Sequence, residues 1–306
     1  MTTGTIAVCT RDRATVLPQC LASLAGQLAE PDEVEVLVVD NGSTDGTADL
    51  LRRWRSEGDG RRVVDEPRVG LSRARNAALA ASDRDVVLFL DDDALAPPTW
   101  ARAHLAAYAA APDVGSVGGP VGVVWPAGQP EWISPSVMWV YSALDLGDEA
   151  GPFPTEHGPY GTNMSVRRAA ALAVGGYDPR LGRQGAKLLS SEEPDLTRRL
   201  RDAGWAIRYE PEAGLVQQVL PERLGKRWLM RRGWAQGISN ARREVLGDKL
   251  SRRARLRRAA DEARESREAL AERRQAEPDD LDPTVRMVAH AAAALELVRS
   301  SLVSRS

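Results

Sequence analysis

The sequence contains little of what marks several familiar protein classes. Its 306 residues include only two cysteines, Cys9 and Cys20, so neither a disulfide framework nor a zinc site is expected, and a reducing, cytoplasmic setting is predicted. The formal net charge of −2 argues against nucleic acid as a partner, because nucleic-acid-binding proteins are usually markedly basic. The N-terminal residues lack the pattern of a signal peptide, and no stretch approaches the roughly 20 apolar residues of a membrane-spanning helix.

The first 93 residues alternate between β-rich runs and helical runs. Apolar residues such as Leu17, Leu21 and Leu24 recur at helical spacing between the first two strands. This alternation predicts an α/β fold with a mostly parallel central sheet flanked by helices, in which ligands bind beyond the carboxyl ends of the strands. The predicted strands are Ile6–Thr10, Val34–Val39, Val63–Val64 and Asp85–Leu90.

The fourth predicted strand stops on three consecutive carboxylates, Asp91, Asp92 and Asp93. Adjacent like charges repel one another, and a divalent cation such as Mg²⁺ or Mn²⁺ would relieve that cost. Thr10 and Asp40 follow other strands of the same predicted sheet, so the three strand ends are expected at one edge. The pattern predicts a metal site that holds a diphosphate, and an acidic turn at a strand end is the alternative.

The sequence after residue 93 is less regular. Residues 125–159 are rich in proline, glycine and aromatic side chains, which is typical of a binding loop. Trp125, Trp132 and Trp139 either anchor this loop or offer a stacking surface to an acceptor. The other predicted elements are helices over Trp100–Ala110, Asn163–Ala173 and Pro194–Ala203, strand and turn over Val114–Val124, and a strand over Trp205–Tyr209.

Several segments, in order along the chain, resemble the family 2 glycosyltransferases, which are inverting enzymes with the GT-A fold. The resemblance covers roughly Thr5–Gly237, and the ordered set is more specific than any single motif. It is carried by Cys9–Arg11, Val38–Thr47, Gly70–Asn76, Asp91–Asp93, Gly161–Arg168, Gly175–Asp178 and Ser191–Gly204.

The resemblance implies a nucleotide-sugar donor and assigns roles to residues that match the family's motifs. Asp93 is implied as a direct metal ligand and Asp91 as a neighbour of the ribose and of metal-bound water, whereas the role of Asp92 is less defined. The residues implied to line the nucleoside and diphosphate pocket are Thr10, Arg11, Asp40, which would accept from the base ring, and Arg75. For Asp40, a turn-forming role is the alternative.

Glu193 is the candidate catalytic base, although the family usually has aspartate at this position. An inverting transfer needs a carboxylate that takes the proton of the acceptor hydroxyl. Glu192 and Asp195 stay open as alternatives for this role. The acidic cluster could also serve only to favour the positive end of a helix dipole, with Pro194 in its first turn.

Glutamine stands where the family often has a histidine that completes the metal site. Gln218 occupies that place, or Gln217 if the register slips by one residue. An amide oxygen is a weaker ligand than imidazole for a transition metal but is acceptable for Mg²⁺. The substitution also leaves open a degenerate site, and therefore a protein that binds a sugar nucleotide or glycan without catalysis.

From Lys226 onward the composition shifts to helix formers, with many arginines between Arg242 and Arg274. We predict a GT-A domain over residues 1–240 and a helical C-terminal appendage over residues 241–306. The arginine-rich segment has three interpretations: a solvated helix with Glu–Arg pairs, docking on anionic lipid as a peripheral contact at the membrane's inner face, or docking on another subunit.

Together the residues and the resemblance predict a metal-dependent inverting glycosyltransferase. It would move one sugar from a UDP-, GDP- or dTDP-linked donor to a small-molecule or glycan-precursor acceptor. Leu224 replaces the glutamine of the Gln-x-x-Arg-Trp motif that processive synthases carry, so a single transfer per encounter is expected. A sugar nucleotidyltransferase is a further alternative, but that class has a glycine-rich loop after the first strand, and residues 10–16 contain no glycine.

Overall fold

The computed structural model describes residues 2–29, 33–155, 158–185, 187–247, 250–277 and 280–303, except for the side chains of Ala29 and Val303. These residues form two compact units. The first unit contains the described residues up to Val124 together with Ser142–Pro179 and Glu193–Gln218. The second unit contains Trp125–Tyr141, Arg180–Glu192 and the described residues from Val219 onward.

The first unit begins with the predicted alternation of strands and helices. The predicted strands of this part and the helix over residues 100–110 are present, with ends that differ by at most two residues. A 3-10 helix, Ala25–Ala29, follows the first α-helix. The elements are β1 (Gly4–Thr10), α1 (Leu17–Ser23), β2 (Val34–Asp40), α2 (Thr47–Arg55), β3 (Arg61–Asp65), α3 (Leu71–Ala81), β4 (Val86–Asp91), β5 (Ala94–Leu95) and α4 (Trp100–Ala110).

The second half of the first unit is built mainly from short strands. Its elements are β6 (Val114–Gly118), β7 (Val121–Val124), β8 (Gly151–Pro152), β9 (Asn163–Arg167), α5 (Arg168–Ala173), α6 (Glu192–Asp202), β10 (Ala206–Tyr209) and β11 (Leu215–Gln218). The first residue of α6, Glu192, is assigned to the second unit.

The strands form one large sheet and one small sheet. The large sheet has eight strands in the order β3-β2-β1-β4-β9-β6-β10-β8. Its first four strands are parallel to one another, whereas β9 runs antiparallel to both β4 and β6. The small sheet has the order β5-β11-β7. The parallel half therefore brings the carboxyl ends of β1, β2 and β4 to one edge, as the sequence predicted.

The large sheet is covered by apolar side chains on both faces. Successive residues of a strand point to opposite faces, so a buried parallel strand must be apolar at nearly every position. Ile6 and Val8 of β1 pack in one core cluster, and Ala7 between them packs in the other. The nearly continuous apolar run of β2 has the same cause, since all seven of its residues are buried.

The helix predicted over Asn163–Ala173 is wrong in its first half. Residues 163–167 form the strand β9, and only Arg168–Ala173 are helical. Leu88 of β4 pairs with Ser165, and Val117 of β6 pairs with the same residue from the other side. Two ladders of hydrogen bonds to neighbouring strands outweigh the weak local helix propensity of this segment.

The second unit contains three long helices: α7 (Lys226–Gly247), α8 (Arg252–Arg273) and α9 (Asp282–Val303). Of the tryptophans in the irregular segment, Trp125 meets Tyr141 edge-on, and Tyr141 stacks on Trp228 at the start of α7. This packing favours the anchor interpretation for Trp125. No helix within the described ranges is long and apolar enough to cross a membrane. The domain boundary near residue 240 stays a prediction.

Helices α7 and α9 approach closely at two glycines of α7. A Cβ added to Gly237 would collide with the carbonyl oxygen of Ala289. A Cβ added to Gly233 would lie 2.9 Å from Cγ1 of Val285, which is a side-chain atom that can rotate away. The nearest backbone atom to that Cβ, the carbonyl oxygen of Val285, would lie 3.2 Å away, so the backbone contact is tighter at Gly237, and Gly237 sets the distance between the helices.

We therefore predict that Gly237→Ala destabilises the protein more than Gly233→Ala does. Both changes gain about 1 kcal/mol of helix propensity, but overpacking against backbone costs about 1–3 kcal/mol more. Urea denaturation followed by circular dichroism measures the two free energies of unfolding. Equal values for the two variants would contradict the close approach at Gly237.

Candidate functional site

The predicted polar residues meet at the carboxyl edge of the parallel strands. Thr10 pairs with Asp40 in the β1–β2 register, and Cys9 pairs with Asp91 in the β1–β4 register. Asp92 and Asp93 then connect β4 to the small sheet, which begins with β5 at Ala94. The strand ends that the sequence singled out are thus neighbours in space.

The three carboxylates of the triplet have different surroundings. Asp92 points into the protein, where it accepts a hydrogen bond of 2.8 Å from the Thr10 hydroxyl and lies 3.7 Å from Nε of Arg13. Burial, and to a lesser degree the charge of Asp93, raises the pKa of the Asp92 carboxyl to about 7 against the opposing effect of Arg13. Asp92 therefore ties the end of β4 to the end of β1, and Thr10 serves as its partner.

Asp93 is buried beside a glutamine of β11. Nε2 of Gln217 lies 3.4 Å from Oδ1 of Asp93, and the backbone N–H of Gln218 donates to the Asp93 carbonyl oxygen at 2.8 Å. Adjacent residues of a strand face opposite sides, so only one of the two glutamines can present its side chain to Asp93. That residue is Gln217, the alternative that the sequence left open beside Gln218, and a metal-ligand role for either glutamine stays a prediction.

The residues around Asp93 fit a hard divalent cation whose coordination is completed by a bound ligand. Oε1 of Gln217 is buried and makes no hydrogen bond within the described part of the chain. This amide oxygen, next to a buried carboxylate, is the kind of donor pair that Mg²⁺ and Mn²⁺ accept. Among the described residues, no three His, Cys, Asp or Glu side chains converge on one metal position. Phosphate oxygens and water are suited to complete the coordination of a cation held by this pair.

Arg75 joins the triplet to the candidate base. This guanidinium on α3 is only 2% exposed; its Nη1 donates to Oε1 of Glu193 at 2.8 Å, and its Nη2 lies 3.6 Å from Oδ1 of Asp91. It also lies over the rings of Phe89 and Tyr177. Two carboxylates compensate the buried charge, so Asp91 and Glu193 belong to one cluster. A contact between Arg75 and a diphosphate stays a prediction.

The structure separates the three acidic residues that were considered for the base. Asp195 accepts hydrogen bonds from Arg199, one turn further along α6, and Arg199 also donates to the carbonyl oxygen of Val174. Asp195 therefore stabilises α6, the helix in which it lies. Glu193 contacts Arg75 of the triplet cluster and keeps 14% of its side chain exposed, whereas Glu192 is almost fully buried.

Gly161 provides the space that the Arg75–Glu193 pair occupies. A Cβ at this position would collide with Nη2 of Arg75 and Oε1 of Glu193, and it would lie 2.8 Å from Cζ of Arg75. The sequence contained this glycine in the segment Gly161–Arg168 but offered no physical reason for it. The reason is the approach of a charged pair to the backbone.

The turn after β2 interlocks with two other loops. Oδ1 of Asp40 accepts the backbone N–H of Ser43 at 2.9 Å, which is the turn-forming role considered for this residue. Nε of Arg11 points to the carbonyl oxygen of Gly42 at 3.5 Å. A base-binding role for Asp40 and Arg11 stays a prediction.

Asn41 has a structural role that sequence reasoning missed. Its Nδ2 donates to the carbonyl oxygens of Glu66 and Arg68, and its Oδ1 accepts the N–H of Gly70. These bonds connect the end of β2 to the loop after β3 and to the start of α3, the helix that carries Arg75. Asn41 therefore helps to position Arg75.

Asn163 at the start of β9 makes four buried hydrogen bonds. Its Oδ1 accepts from Nε1 of Trp100 and Nε2 of His104, and its Nδ2 donates to the carbonyl oxygens of Pro120 and Ala213. Pro120 precedes β7 and Ala213 precedes β11, so this amide fastens two strands of the small sheet that contains Gln217. Burial lowers the pKa of His104 to about 4, which keeps its ring neutral at physiological pH.

A mostly parallel sheet with an antiparallel strand inserted beside β4, and an acidic strand end at its carboxyl edge, is the arrangement of the GT-A fold. A mannosyltransferase of Pyrobaculum calidifontis, solved in complex with GDP-Man and Mn²⁺, shares this fold. Its TM-score is 0.58 at 20% identity, with 98% of this chain and 74% of that one covered.

Residues 5–175 match the profile of Glycosyl transferase family 2, and the chain belongs to this family. It is 31% identical to the glucosyl-dolichyl phosphate glucuronosyltransferase of Haloferax volcanii, over 79% of this chain and 77% of that protein. It is 28% identical to the succinoglycan biosynthesis protein ExoM of Rhizobium meliloti, over 78% and 74% of the two chains. The protein is therefore a glycosyltransferase, as its motifs predicted.

We predict that Gly161→Ala lowers the rate of glycosyl transfer by about 100-fold, because a displacement of about 1 Å in a catalytic group has an effect of this size. The change forces either Arg75 or Glu193 out of position. Gly151→Ala is the matched control, since nothing lies within 4 Å of a Cβ at that position. Initial rates at saturating donor measure both variants, and equal rates would contradict the proposed role of the pair.

Proposed function

We propose that the protein is a metal-dependent inverting glycosyltransferase that moves one sugar per encounter from a nucleotide-sugar donor to an acceptor hydroxyl. The observation that carries this proposal is the buried guanidinium of Arg75, which contacts Asp91 on one side and Glu193 on the other. A metal-binding acidic turn and a base are needed on the two sides of one reacting carbon. The guanidinium of Arg75, which contacts both groups, supports that arrangement.

The donor is proposed to be a nucleoside diphosphate sugar. The structural relative from Pyrobaculum calidifontis contains GDP-Man and Mn²⁺, and a second structure of the same fold, with a TM-score of 0.55, contains UDP-GlcNAc. These relatives support a nucleotide sugar and a divalent cation for this chain, with UDP, GDP and dTDP as the nucleotides to test. Thr10, Arg11 and Asp40 are the proposed residues of the nucleoside pocket.

Asp93 and Gln217 are the residues that would hold the cation, with Asp91 close to its water ligands. When bound, a divalent cation neutralises the charge that develops on the departing diphosphate. The buried setting of Asp93 supports this role, and so does the amide oxygen of Gln217, which has no hydrogen-bond partner among the described residues. The protein's own contribution is to hold both oxygens, one on β11 and one on the connection between β4 and β5.

Glu193 is the proposed base. Its carboxylate takes the proton of the acceptor hydroxyl while the acceptor oxygen forms a bond to the anomeric carbon. The bond between that carbon and the diphosphate oxygen breaks, and the nucleoside diphosphate leaves with the electron pair. Attack opposite the leaving group inverts the anomeric configuration. Arg75 orients the carboxylate through its hydrogen bond of 2.8 Å.

The acceptor is proposed to be a glycan precursor or a small molecule. The relative in Haloferax volcanii has a name that specifies a lipid-linked sugar, glucosyl-dolichyl phosphate, and the second relative acts in the biosynthesis of succinoglycan. Both names support a glycan under assembly as the acceptor class. A cytoplasmic location is proposed because the sequence contains only two cysteines and both are free.

One observation favours a second candidate function. The metal position has an amide where the family often has a histidine, and within the described residues no triad of acidic or imidazole ligands is present. A site with an amide in place of imidazole has a weaker metal ligand, and such a site is compatible with binding of a sugar nucleotide without turnover. This non-catalytic alternative predicts tight nucleotide binding and no product.

We predict that Glu193→Gln lowers the transfer rate by about 10²–10⁴-fold, which is the usual contribution of a general base, with little change in nucleotide affinity. Asp93→Asn should instead weaken both metal binding and metal-dependent nucleotide binding. Asp83→Asn is the control, because Asp83 is a surface carboxylate whose side chain is 83% exposed.

The experiment combines thermal shifts with UDP, GDP and dTDP, each with Mg²⁺ or Mn²⁺, and transfer assays with a panel of donor sugars and glycan acceptors. Chromatography of the product on an anomer-resolving column tests inversion. Nucleotide binding without transfer for any pair would support the non-catalytic alternative. A Glu193→Gln variant with the rate of the Asp83→Asn control would assign the base to another residue.

A further inference from the structure

The start of α8 has an unusual concentration of positive charge. Residues 252–258 contain five arginines and no acidic residue. Arg255 donates to the carbonyl oxygens of Leu250 and Ser300, and Arg258 pairs with Glu244 and Glu262. Arg252, Arg253 and Arg257 are exposed, and no carboxylate among the described residues forms an ion pair with any of them.

This charge does not stabilise the helix that carries it. The first turn of a helix bears the positive end of the helix dipole, which favours acidic side chains and disfavours cations. The N-cap of α8 is Ser251, whose hydroxyl accepts the N–H of Ala254. The three exposed arginines therefore require an explanation outside the stability of α8, and an anionic partner provides one.

The end of α9 carries exposed aliphatic side chains. Leu295, Val298 and Leu302 are 60%, 40% and 63% exposed. Their spacing of three and four residues puts them on one stripe of the helix. The opposite face already packs inside the unit, since Ala293 and Leu297 lie in a core cluster with Ala241 and Ala259. The exposed stripe is thus a second apolar face that the described residues leave uncovered.

The two features lie at the same end of the helix pair. The bond of 2.7 Å between Nη1 of Arg255 and the carbonyl oxygen of Ser300 joins the first turn of α8 to the last turns of α9. Ala259 and Leu297 meet in the same core cluster. We call this region the basic end and define it as Arg252, Arg253, Leu256, Arg257, Leu295, Val298 and Leu302, of which Leu256 is also exposed.

We propose that the basic end docks on a lipid bilayer that contains anionic headgroups. The exposed arginines complement a negative surface, and the aliphatic side chains reach the boundary between headgroups and acyl chains. A nucleic acid would use the arginines but not the aliphatic stripe. A second copy of the chain would bring two arginine clusters together, which like-charge repulsion opposes. The proposal goes beyond the transfer reaction and does not depend on it.

The test is binding of the full chain to sedimenting vesicles, with phosphatidylcholine alone and with phosphatidylcholine mixed with phosphatidylglycerol. Each arginine near an anionic surface contributes about fivefold in partitioning. We therefore predict that the combined change Arg252→Ala, Arg253→Ala and Arg257→Ala lowers partitioning to the anionic vesicles by about 100-fold. Higher salt should weaken binding of the unmodified protein because it screens these charges.

The matched control removes the same charge from the C-terminal part of α8 and from Arg274, the residue that follows it. Arg264→Ala, Arg267→Ala and Arg274→Ala together should leave partitioning within about fivefold of the unmodified value, since these positions lie outside the basic end. Leu295→Ser, Val298→Ser and Leu302→Ser together should lower partitioning by about tenfold. Leu172→Ser, at an exposed leucine of the first unit, is the apolar control and should have no effect.

Three outcomes would overturn the proposal. The first is equal binding to neutral and anionic vesicles. The second is an equal loss of partitioning in the two variants that each lack three arginines. Overall charge alone would then explain the effect. The third is self-association in sedimentation velocity that the serine triple abolishes, because the aliphatic stripe would then be covered by a second copy. Circular dichroism verifies that each variant is folded. Because the substituted side chains are exposed, we expect every variant to fold.

Discussion

A buried guanidinium dictates much of the first unit's architecture. Arg75 is almost fully removed from water, and an uncompensated charge in such a place would be strongly destabilising. Its compensation comes from Asp91 at the end of β4 and Glu193 at the start of α6, two residues that are 102 positions apart in the chain. The fold must therefore bring these elements together before the charge can be buried.

The side chain of Arg75 constrains the residues that surround it. Gly161 has no side chain because the ion pair fills the space. Asn41 connects the end of β2 to the N–H of Gly70, where α3 begins, and so sets the position from which Arg75 extends. Ser191 adopts a positive φ of 80° just before α6, which is a strained conformation for a residue with a side chain. The strain lies where the chain turns into the helix that presents Glu193.

Local patterns predicted much of this fold, and contacts between distant residues account for what they missed. The β1–α4 alternation is readable because each element follows its own period, and the acidic triplet is readable because it follows an apolar run. Strand β9 was predicted as a helix, since its two partners, β4 and β6, are remote in sequence. The choice between Gln217 and Gln218 depends on strand register, which no local pattern fixes. For the same reason the sequence indicated Arg75 and Glu193 separately. Only the structure shows that they form a pair.

The buried polar network around Asn163 illustrates why such contacts are specific. An amide has two donor and two acceptor sites, and Asn163 uses all four. Its oxygen can only accept, so Nε2 of His104 must donate, and Nδ1 of the neutral ring accepts from the hydroxyl of Ser165. Each donor therefore has one acceptor available, and a shift of β9 by one residue would leave several buried groups without partners. That cost fixes the position of β9 between its neighbours. Because Asn163 also bonds the carbonyl oxygen of Ala213, which precedes β11, the same network positions the strand that places Gln217 beside Asp93.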